Sequence, residues 1–242
     1  RRHGLLDEQC LTVAGEPLGR VLDWWEASDR RRALRERLRR ADRVDPDDVI
    51  MDPARARERG LTSTVTFPRG NLAPEGSVIK VSGANRALHR GPARVFDSEE
   101  AAFEAVQKQT IRAGEVLVIR YEGPKGGPGM REMVTSTWLL VDMGLDRSIA
   151  ILTDGRFSGT SGGPCIGHLV PEAMVGGPIA VLRDGDIIDI DIASRAVNVE
   201  LSDEEIRQRL SAWRPPEPKV TKGYLAHFAK YAASADKGAY LE

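Results

Sequence analysis

The chain has 242 residues, of which 41% are hydrophobic and 29% are charged, with 35 Lys and Arg against 36 Asp and Glu. This composition is typical of a soluble protein with one large or two small domains, and its near-neutral charge argues against nucleic-acid or membrane-surface binding. Two cysteines, Cys10 and Cys165, are too few for a disulfide framework or a complete cysteine-ligated cluster. We therefore expect a cytoplasmic protein, and no apolar run approaches the ~20 residues of a membrane span.

The first sixty residues predict helices. Residues 18–42 carry apolar side chains at helical spacing beside an arginine-rich face, DRRRALRERLRR. This face is either solvated or an interface with a domain outside this chain. Residues 45–60 contain Pro46 and Pro53, which break long elements and predict short helical turns. We place a boundary near Gly60.

Residues 61–210 predict a mixed α/β domain. A helix capped by Asp97 is expected to reach about residue 110, and a second helix is expected over 132–143. Arg183 to Gly185 supply a hairpin turn, and short strands so close together favour a barrel-like sheet. The predicted strands are 77–82, 93–96, 115–121, 148–153, 179–182, 187–192 and 197–201.

The C-terminal residues predict two more helices. Ser202 and Glu205 form a capping box that opens a helix to about Trp213, and the following RPPEP ends it. Residues 224–233 have apolar side chains at helical spacing and predict a last, docked helix.

Two glycine-rich loops follow two of the apolar strands, at 122–130 and 154–167. Loops at strand ends are where small ligands tend to bind. Glycine allows close backbone approach, so N–H groups of these loops could hold an anion such as a carboxylate. The alternative, that the glycines serve only tight turns, stays open at this point.

The second loop also contains a G-x-S-x-G pattern centred on Ser161, which is typical of a hydrolase nucleophile elbow. An elbow needs a sharp strand-to-helix turn, whereas about eight residues separate Thr153 from Ser161 and no helix is predicted to follow. The order of the histidines does not indicate a triad. The pattern therefore favours a function other than serine hydrolysis.

A long ordered block identifies a family. TDGRFSGTSGGPCIGHLVPEAMVGGPIAVLRDGDIIDID resembles the C-terminal signature of the dihydroxy-acid and sugar-acid dehydratase family, which includes the phosphogluconate dehydratases. Further matching blocks are PRGNLAPEGSVIKVSG, GPARVFDSEEAA, VIRYEGPKGGPGMREM and ADKGA. The resemblance covers about residue 61 to the end, and blocks of this length are far more specific than a short motif.

The resemblance implies the fold and the organisation of the chain. Residues 61–210 are expected to be the family's swivelling β/β/α domain, an α/β fold in which a mixed barrel-like sheet has flanking helices. Residues 1–60 are expected to be a helical connector from an N-terminal domain that this chain lacks. Residues 211–242 form a C-terminal helical tail in this interpretation.

The resemblance also implies a hydro-lyase that removes water from a 2,3-dihydroxy acid to give a 2-keto acid. The family uses an iron–sulfur cluster, 2Fe-2S or 4Fe-4S, and Mg²⁺. The expected substrates are 2,3-dihydroxy-3-methylbutanoate and its homologue, in the branched-chain amino-acid biosynthesis of valine and isoleucine. The family's cluster cysteines and most magnesium ligands belong to the N-terminal domain, so this chain alone is expected to be inactive. Its expected partners are the dihydroxy acid, that domain, and further copies in a homodimer or dimer of dimers, but neither nucleic acid nor membrane.

The family motifs assign roles to five residues of this sequence. Ser158 matches the serine base and Thr160 the hydroxyl that steers the substrate or the serine. Ser161 and Gly159 are expected to bind substrate, and Thr160 and Ser161 could share a role because many family members read FSGGT where this chain reads FSGTS. Glu132 matches a magnesium ligand, and a carboxylate oxygen suits Mg²⁺. Without the family match, Glu132 would be interpreted as a solvated carboxylate in the first turn of a helix.

Other residues and functions stay as alternatives. Cys165 is predicted to be a small packed residue near the site, and Cys10 a core residue. His168 is interpreted either as a donor behind the site or as a structural histidine. A sugar-acid dehydratase is the second enzymatic hypothesis, because NLAPEGSVIK also occurs in that branch. A non-catalytic carboxylate-binding module is the alternative of another class.

Overall fold

The computed structural model describes residues 1, 3–58, 65–81, 88–157 and 163–242. Contacts divide the chain into two compact units, Arg1–Thr62 and Ser63–Glu242. The first unit contains four of the described helices, α1 (Leu18–Ala27), α2 (Asp29–Arg40), α3 (Pro46–Val49) and α4 (Pro53–Glu58).

The continuous helix predicted over 18–42 is wrong, because the chain breaks at Ser28. Ser28 has extended backbone (φ −69°, ψ 138°), and its hydroxyl accepts the backbone N–H of Arg31 at 3.2 Å. A serine in this conformation ends one helix and caps the next. The short helical turns predicted from Pro46 and Pro53 are confirmed, since both prolines stand at the first position of a helix.

The second unit contains the sheets. Its described strands are β1 (Val65–Thr66), β2 (Gly76–Lys80), β3 (Leu88–Phe96), β4 (Val116–Ile119), β5 (Glu132–Met133), β6 (Ala150–Thr153), β7 (Arg156–Phe157), β8 (Cys165–Val170), β9 (Ile187–Asp191) and β10 (Ala196–Val199). Its described helices are α5 (Glu99–Gln107), α6 (Val134–Asp142), α7 (Asp203–Ala212) and α8 (Gly223–Tyr231), with short 3₁₀ turns at Ala173–Val175, Pro178–Val181 and Ala235–Lys237.

Over the described residues, eight strands form one mixed sheet in the order β1-β2-β8-β6-β4-β3-β9-β10. The central strands β8, β6, β4 and β3 run parallel, and the outer pairs are antiparallel. Arg69, between β1 and β2, exchanges backbone hydrogen bonds with the far edge, donating to Arg195 at 2.9 Å and accepting from Val197 at 3.0 Å. The sheet therefore curls until its edges meet, which confirms the predicted barrel-like sheet with flanking helices.

Both faces of β4 and β6 are buried, as expected for parallel strands in the middle of a sheet. In β4, Val116 and Val118 enter the core enclosed by the curled sheet, while Leu117 and Ile119 face a second core that includes Met133 and residues of α5 and α6. Because side chains alternate along a strand, successive residues of β4 contribute to the two cores in turn.

Two local predictions are wrong for identifiable reasons. The strand predicted over 179–182 is a 3₁₀ turn that begins at Pro178, a residue that cannot donate to a sheet ladder. The predicted hairpin after it is therefore absent from this described segment, and β9 pairs with β3 and β10 instead. Ser98, not Asp97, caps α5, because the Asp97 carboxylate accepts from Arg120 Nε at 2.6 Å. The capping box of Ser202 and Glu205 is confirmed.

Candidate functional site

The candidate site lies at the carboxyl ends of β4 and β6. These strands are parallel neighbours with Ile119 opposite Thr153, so both end at the same edge of the sheet. Asp154 follows β6 directly and is completely buried. Its carboxylate accepts the backbone N–H groups of Tyr121 at 3.1 Å, Glu122 at 2.9 Å and Ala173 at 2.8 Å. Asp154 thereby ties the start of the glycine-rich loop after β4 to the end of β6.

Burial raises the pKa of Asp154, and the backbone N–H groups oppose that rise. The same physical balance acts on Glu172, a buried residue after β8 whose pKa burial raises to about 7. The Glu172 carboxylate accepts the backbone N–H of Lys125 at 2.9 Å and of Gly126 at 2.8 Å. These amides of the glycine-rich loop, expected to hold an anion, therefore hold a carboxylate of the protein itself.

Glu122 is a third buried carboxylate at this edge, with an exposed fraction of 0%. Its Oε1 accepts from Lys219 Nζ at 2.7 Å, Arg131 Nη2 at 3.1 Å and the backbone N–H of Glu99 at 3.0 Å. Its Oε2 is buried without a hydrogen-bond partner among the described residues. A Cβ on Gly127 would stand 2.7 Å from that Oε2, so glycine is required where the loop passes over the carboxylate.

Glu132 lies beside the second glycine-rich segment. It stands in β5, which pairs in parallel with β7, placing Glu132 opposite Arg156 and Met133 opposite Phe157. Arg156 strengthens this pairing by donating its backbone N–H to Arg131 O at 3.1 Å and its Nε to Met130 O at 2.6 Å. Glu132 is half-buried. Parallel strands are ~4.8 Å apart, so Glu132 lies close to the backbone of β7.

The prediction that Glu132 begins a helix is wrong by two residues. The helix α6 begins at Val134, and Met133 before it has no side-chain cap. The cap comes instead from Glu99 on α5, whose Oε1 accepts the Thr135 backbone N–H at 3.0 Å and the Thr135 hydroxyl at 2.6 Å. A carboxylate at a helix N-terminus supplies both acceptors and favourable charge. Because this cap is 36 residues away, no local pattern indicates where the helix begins.

The predicted residues Ser158, Gly159, Thr160 and Ser161 lie outside the described residues. Their assigned roles stay predictions. The chain that follows them enters the strand β8 and not a helix, which agrees with the sequence-based argument against a nucleophile elbow.

The other predicted residues near the loop are located. Cys165 is 3% exposed and packs in the second core, as predicted for a small packed residue. His168 is half-buried. Its pKa is lowered mainly by burial and to a smaller extent by the positive charge of Arg156. Cys10 is exposed, so the prediction that it belongs to a core is wrong. Cys10 lies in a segment of turns before α1. The pKa of its thiol is raised mainly by a hydrogen bond with the Asp7 side chain.

Glu132 has the donor chemistry that the predicted magnesium site needs, whereas two cysteines are too few for an iron–sulfur cluster. Glu132 offers a hard carboxylate oxygen, which suits Mg²⁺. No group of three His, Cys, Asp or Glu among the described residues could hold a metal ion by itself. A cluster needs more cysteines than Cys10 and Cys165, and Cys165 is enclosed by apolar side chains.

In the part of the chain that is described, no helix is long and apolar enough to cross a membrane.

The buried carboxylates Asp154, Glu122 and Glu172 were not singled out from the sequence, nor was Lys219. A signal for two of them is present. Glu122 follows the apolar segment EVLVIRY, and Asp154 follows SIAILT directly, so each acidic residue marks the end of a buried strand. No comparable signal links Lys219 to this edge, because its partner is 97 residues earlier in the chain.

Comparison with known families gives one match, in which residues 49–239 fit the model described as dihydroxy-acid/6-phosphogluconate dehydratase C-terminal. Similar curated proteins carry the name dihydroxy-acid dehydratase. That of Acetivibrio thermocellus is 56% identical over 183 residues, covering 75% of this chain and 33% of the relative. That of Methanococcus aeolicus is 53% identical over 183 residues, with the same coverage of 75% and 33%. That of Caldanaerobacter subterraneus subsp. tengcongensis is 48% identical over 238 residues, covering 98% of this chain and 39% of the relative. The chain thus spans 33% to 40% of the length of such relatives.

Proposed function

Because this chain belongs to the dihydroxy-acid/6-phosphogluconate dehydratase family, we propose that it is the C-terminal part of a hydro-lyase acting on 2,3-dihydroxy acids. The proposed substrates are 2,3-dihydroxy-3-methylbutanoate and its homologue, in branched-chain amino-acid biosynthesis. The names of relatives that are 45% to 56% identical support this substrate class. The structural observation that most directly supports a catalytic role for this chain is the parallel pairing of β5 with β7, which places Glu132 beside the strand that precedes Ser158.

The proposed reaction removes the C2 proton and the C3 hydroxyl group as water, and the resulting enol tautomerises to a 2-keto acid. Ser158 acts as the base that accepts the C2 proton. Thr160 steers the substrate or the serine, while Ser161 and Gly159 bind the substrate. A serine hydroxyl is too weak an acid to serve as a base unless its pKa is strongly lowered.

Glu132 holds a magnesium ion in this proposal, together with ligands supplied from outside this chain. The bound ion supplies positive charge that stabilises developing enolate charge and lowers the pKa of a neighbouring hydroxyl. The half-buried position of Glu132 beside β7 supports the assignment, because the residue is not enclosed in either core. Cluster ligands likewise belong to the N-terminal part of the full-length protein.

In this proposal each part of the protein holds one portion of the active site. The 242-residue chain alone is therefore expected to be inactive. The full-length protein is expected to be cytoplasmic and to assemble as a homodimer or a dimer of dimers, the arrangement that the family resemblance implies.

The test is a comparison of substrates on the full-length protein, purified with its cluster intact. Formation of 2-keto acid is followed with 2,3-dihydroxy-3-methylbutanoate, with gluconate and with 6-phosphogluconate. Turnover of the branched-chain substrate at a kcat/KM at least ~100-fold above the sugar acids is expected, since a pocket built for apolar groups leaves sugar hydroxyls unpaired. The reverse preference would replace the proposed substrate by a sugar acid. Turnover by the 242-residue chain alone would contradict the proposal that the active site is divided between the two parts of the protein.

A further inference from the structure

Lys219 reaches the candidate site from the C-terminal part of the chain. It lies between α7 and α8, in a segment without helix or strand that contains Pro215, Pro216 and Pro218. Proline fixes φ, so this segment has little conformational freedom to lose when it binds across the sheet edge. We name residues 214–222 the C-terminal strap. The strap has one contact of special interest, the 2.7 Å ion pair of Lys219 Nζ with Glu122 Oε1.

The ion pair joins groups in unlike environments. The Glu122 side chain is 0% exposed, while the side chain of Lys219 is 33% exposed. An ionised carboxylate withdrawn from water needs an opposite charge and hydrogen bonds, and loss of one partner leaves the charge uncompensated. Glu122 therefore depends on its cations much more than a surface carboxylate would.

The other cation at Glu122, Arg131, is shared. Arg131 donates Nη1 and Nη2 to Glu100 at 2.6 and 3.1 Å, and Nη2 also reaches Glu122 Oε1 at 3.1 Å. The hydrogen bond with Arg131 is the leading cause that lowers the pKa of Glu100 to about 2. The carboxylates of Glu100 and Glu122 thus share one guanidinium. Lys219 supplies the second positive charge that balances these two negative charges.

The Glu122–Arg131 contact also fixes the backbone next to Glu132. Glu122 opens the glycine-rich loop, and Arg131 closes it one residue before Glu132, so the Glu122–Arg131 contact joins both ends of the loop. Arg131 O in turn accepts the Arg156 backbone N–H at 3.1 Å, which starts the pairing of β5 with β7. Glu122 is thus linked through Arg131 to the start of the pairing between the two strands.

We propose that Lys219 is a positioning residue for the dehydration reaction, holding Glu122 so that Glu132 in β5 and the neighbouring strand β7 keep their relative placement. This inference rests on the proposed function for its catalytic meaning. In structural terms, the C-terminal strap holds the glycine-rich loop through the ion pair of Lys219 with the buried Glu122. A misplacement of about 1 Å at a reacting centre can reduce a rate by about 100-fold, so a residue remote from substrate can control kcat in this way.

The test uses Lys219→Met in the full-length protein, which keeps the length of the side chain but removes its charge. We expect kcat to fall about 10- to 100-fold with a smaller change in KM. Binding of Mn²⁺ as a paramagnetic substitute for Mg²⁺, followed by electron paramagnetic resonance, is expected to weaken about tenfold. Hydrogen exchange at the backbone amides of residues 126–133 is expected to accelerate, while the cluster absorbance stays unchanged.

Two further variants separate positioning from general stability. Lys219→Arg keeps the charge and is expected to restore kcat to within about threefold of the wild type, since the ion pair can re-form. Lys222→Met removes an exposed lysine of the same strap and is expected to leave kcat, Mn²⁺ binding and exchange unchanged. Equal losses in the Arg and Met variants at position 219, or a lowered Tm without changes in kcat and exchange, would overturn the proposal.

If Lys219→Met fails to fold, the double variant Glu122→Gln/Lys219→Met removes both charges and is expected to fold, with a kcat about 10- to 100-fold below that of the wild type. Wild-type turnover in that variant would overturn the positioning role. The proposed function fails separately, if the wild-type protein dehydrates none of the dihydroxy acids. In that case the hydrogen-exchange comparison still decides whether Lys219 locks the loop.

Discussion

The Asp154 carboxylate accepts the backbone N–H of Glu122 at 2.9 Å, which connects the residue after β6 to the residue that opens the loop after β4. It belongs to a set of buried carboxylates that face backbone amides or cations at one edge of the sheet, namely Asp154, Glu122, Glu172 and Glu99. Each of them accepts a backbone N–H group from another part of the chain, so the arrangement of this edge depends on side chains from separate elements.

Replacement of Asp154 by Asn is expected to lower the free energy of unfolding by about 1–3 kcal/mol. An amide offers one acceptor oxygen, and its NH₂ group then faces a buried backbone N–H that loses its partner. Urea denaturation of the 242-residue chain measures the change. Asp142→Asn, at an exposed position of α6, is the matched control and is expected to change the free energy by less than about 0.5 kcal/mol. Equal effects in the two variants would contradict an anchoring role for Asp154.

Glu172 is expected to make stability depend on pH. Its folded-state pKa of about 7 lies above the ordinary value of 4.5, so the folded state binds more protons between these values. Its contribution to stability is therefore fully present below pH 4.5 and is lost as the pH rises through about 7.

Glu172→Gln removes this titration. The variant is expected to gain stability relative to wild type as the pH rises from 5 to 8, measured by urea denaturation at each pH. Asp154 has a raised pKa too and contributes in the same direction, so the difference between the two proteins isolates Glu172. Parallel stability curves for the two proteins would show that Glu172 titrates normally.

Glu132→Gln in the full-length protein is expected to raise the Mg²⁺ concentration for half-maximal activity at least about tenfold, because a neutral amide replaces a charged oxygen ligand. Glu104→Gln, at an exposed position of α5 paired with Lys108, is the control and is expected to leave the metal titration unchanged. An unchanged titration for Glu132→Gln would remove this residue from the metal site.

Ser158→Ala in the full-length protein is expected to reduce kcat by about 100- to 10,000-fold, the usual contribution of a general base. The visible spectrum of the cluster is expected to stay intact, which shows that the loss is not caused by cluster loss. Ser211→Ala, an exposed serine of α7, serves as the control. Near-normal turnover in Ser158→Ala would assign the proton transfer to another group.

Much of the fold is readable from local sequence. The apolar segments before Glu122 and Asp154 predict the buried strands β4 and β6, and both are confirmed. The capping box of Ser202 and Glu205 is likewise confirmed, because its hydrogen bonds span only three residues. The family itself is identified from contiguous blocks of sequence, and the family comparison agrees.

Other features depend on partners that are distant in sequence. Glu132 stands in a strand and not a helix because it pairs with Arg156 and because Glu99 sets the start of α6. Closure of the sheet likewise depends on Arg69 meeting Val197. Such contacts leave no local pattern, since each residue alone suits several conformations.

The sequence by itself determined the family, the central strands and the five residues proposed for chemistry. Only the tertiary structure decided that Glu122 is a buried charge and that Lys219, 97 residues later, stabilises it. Whether a carboxylate is solvated or buried is a property of the groups that surround it. The folded chain brings those groups together, and the identity of the glutamate does not specify them.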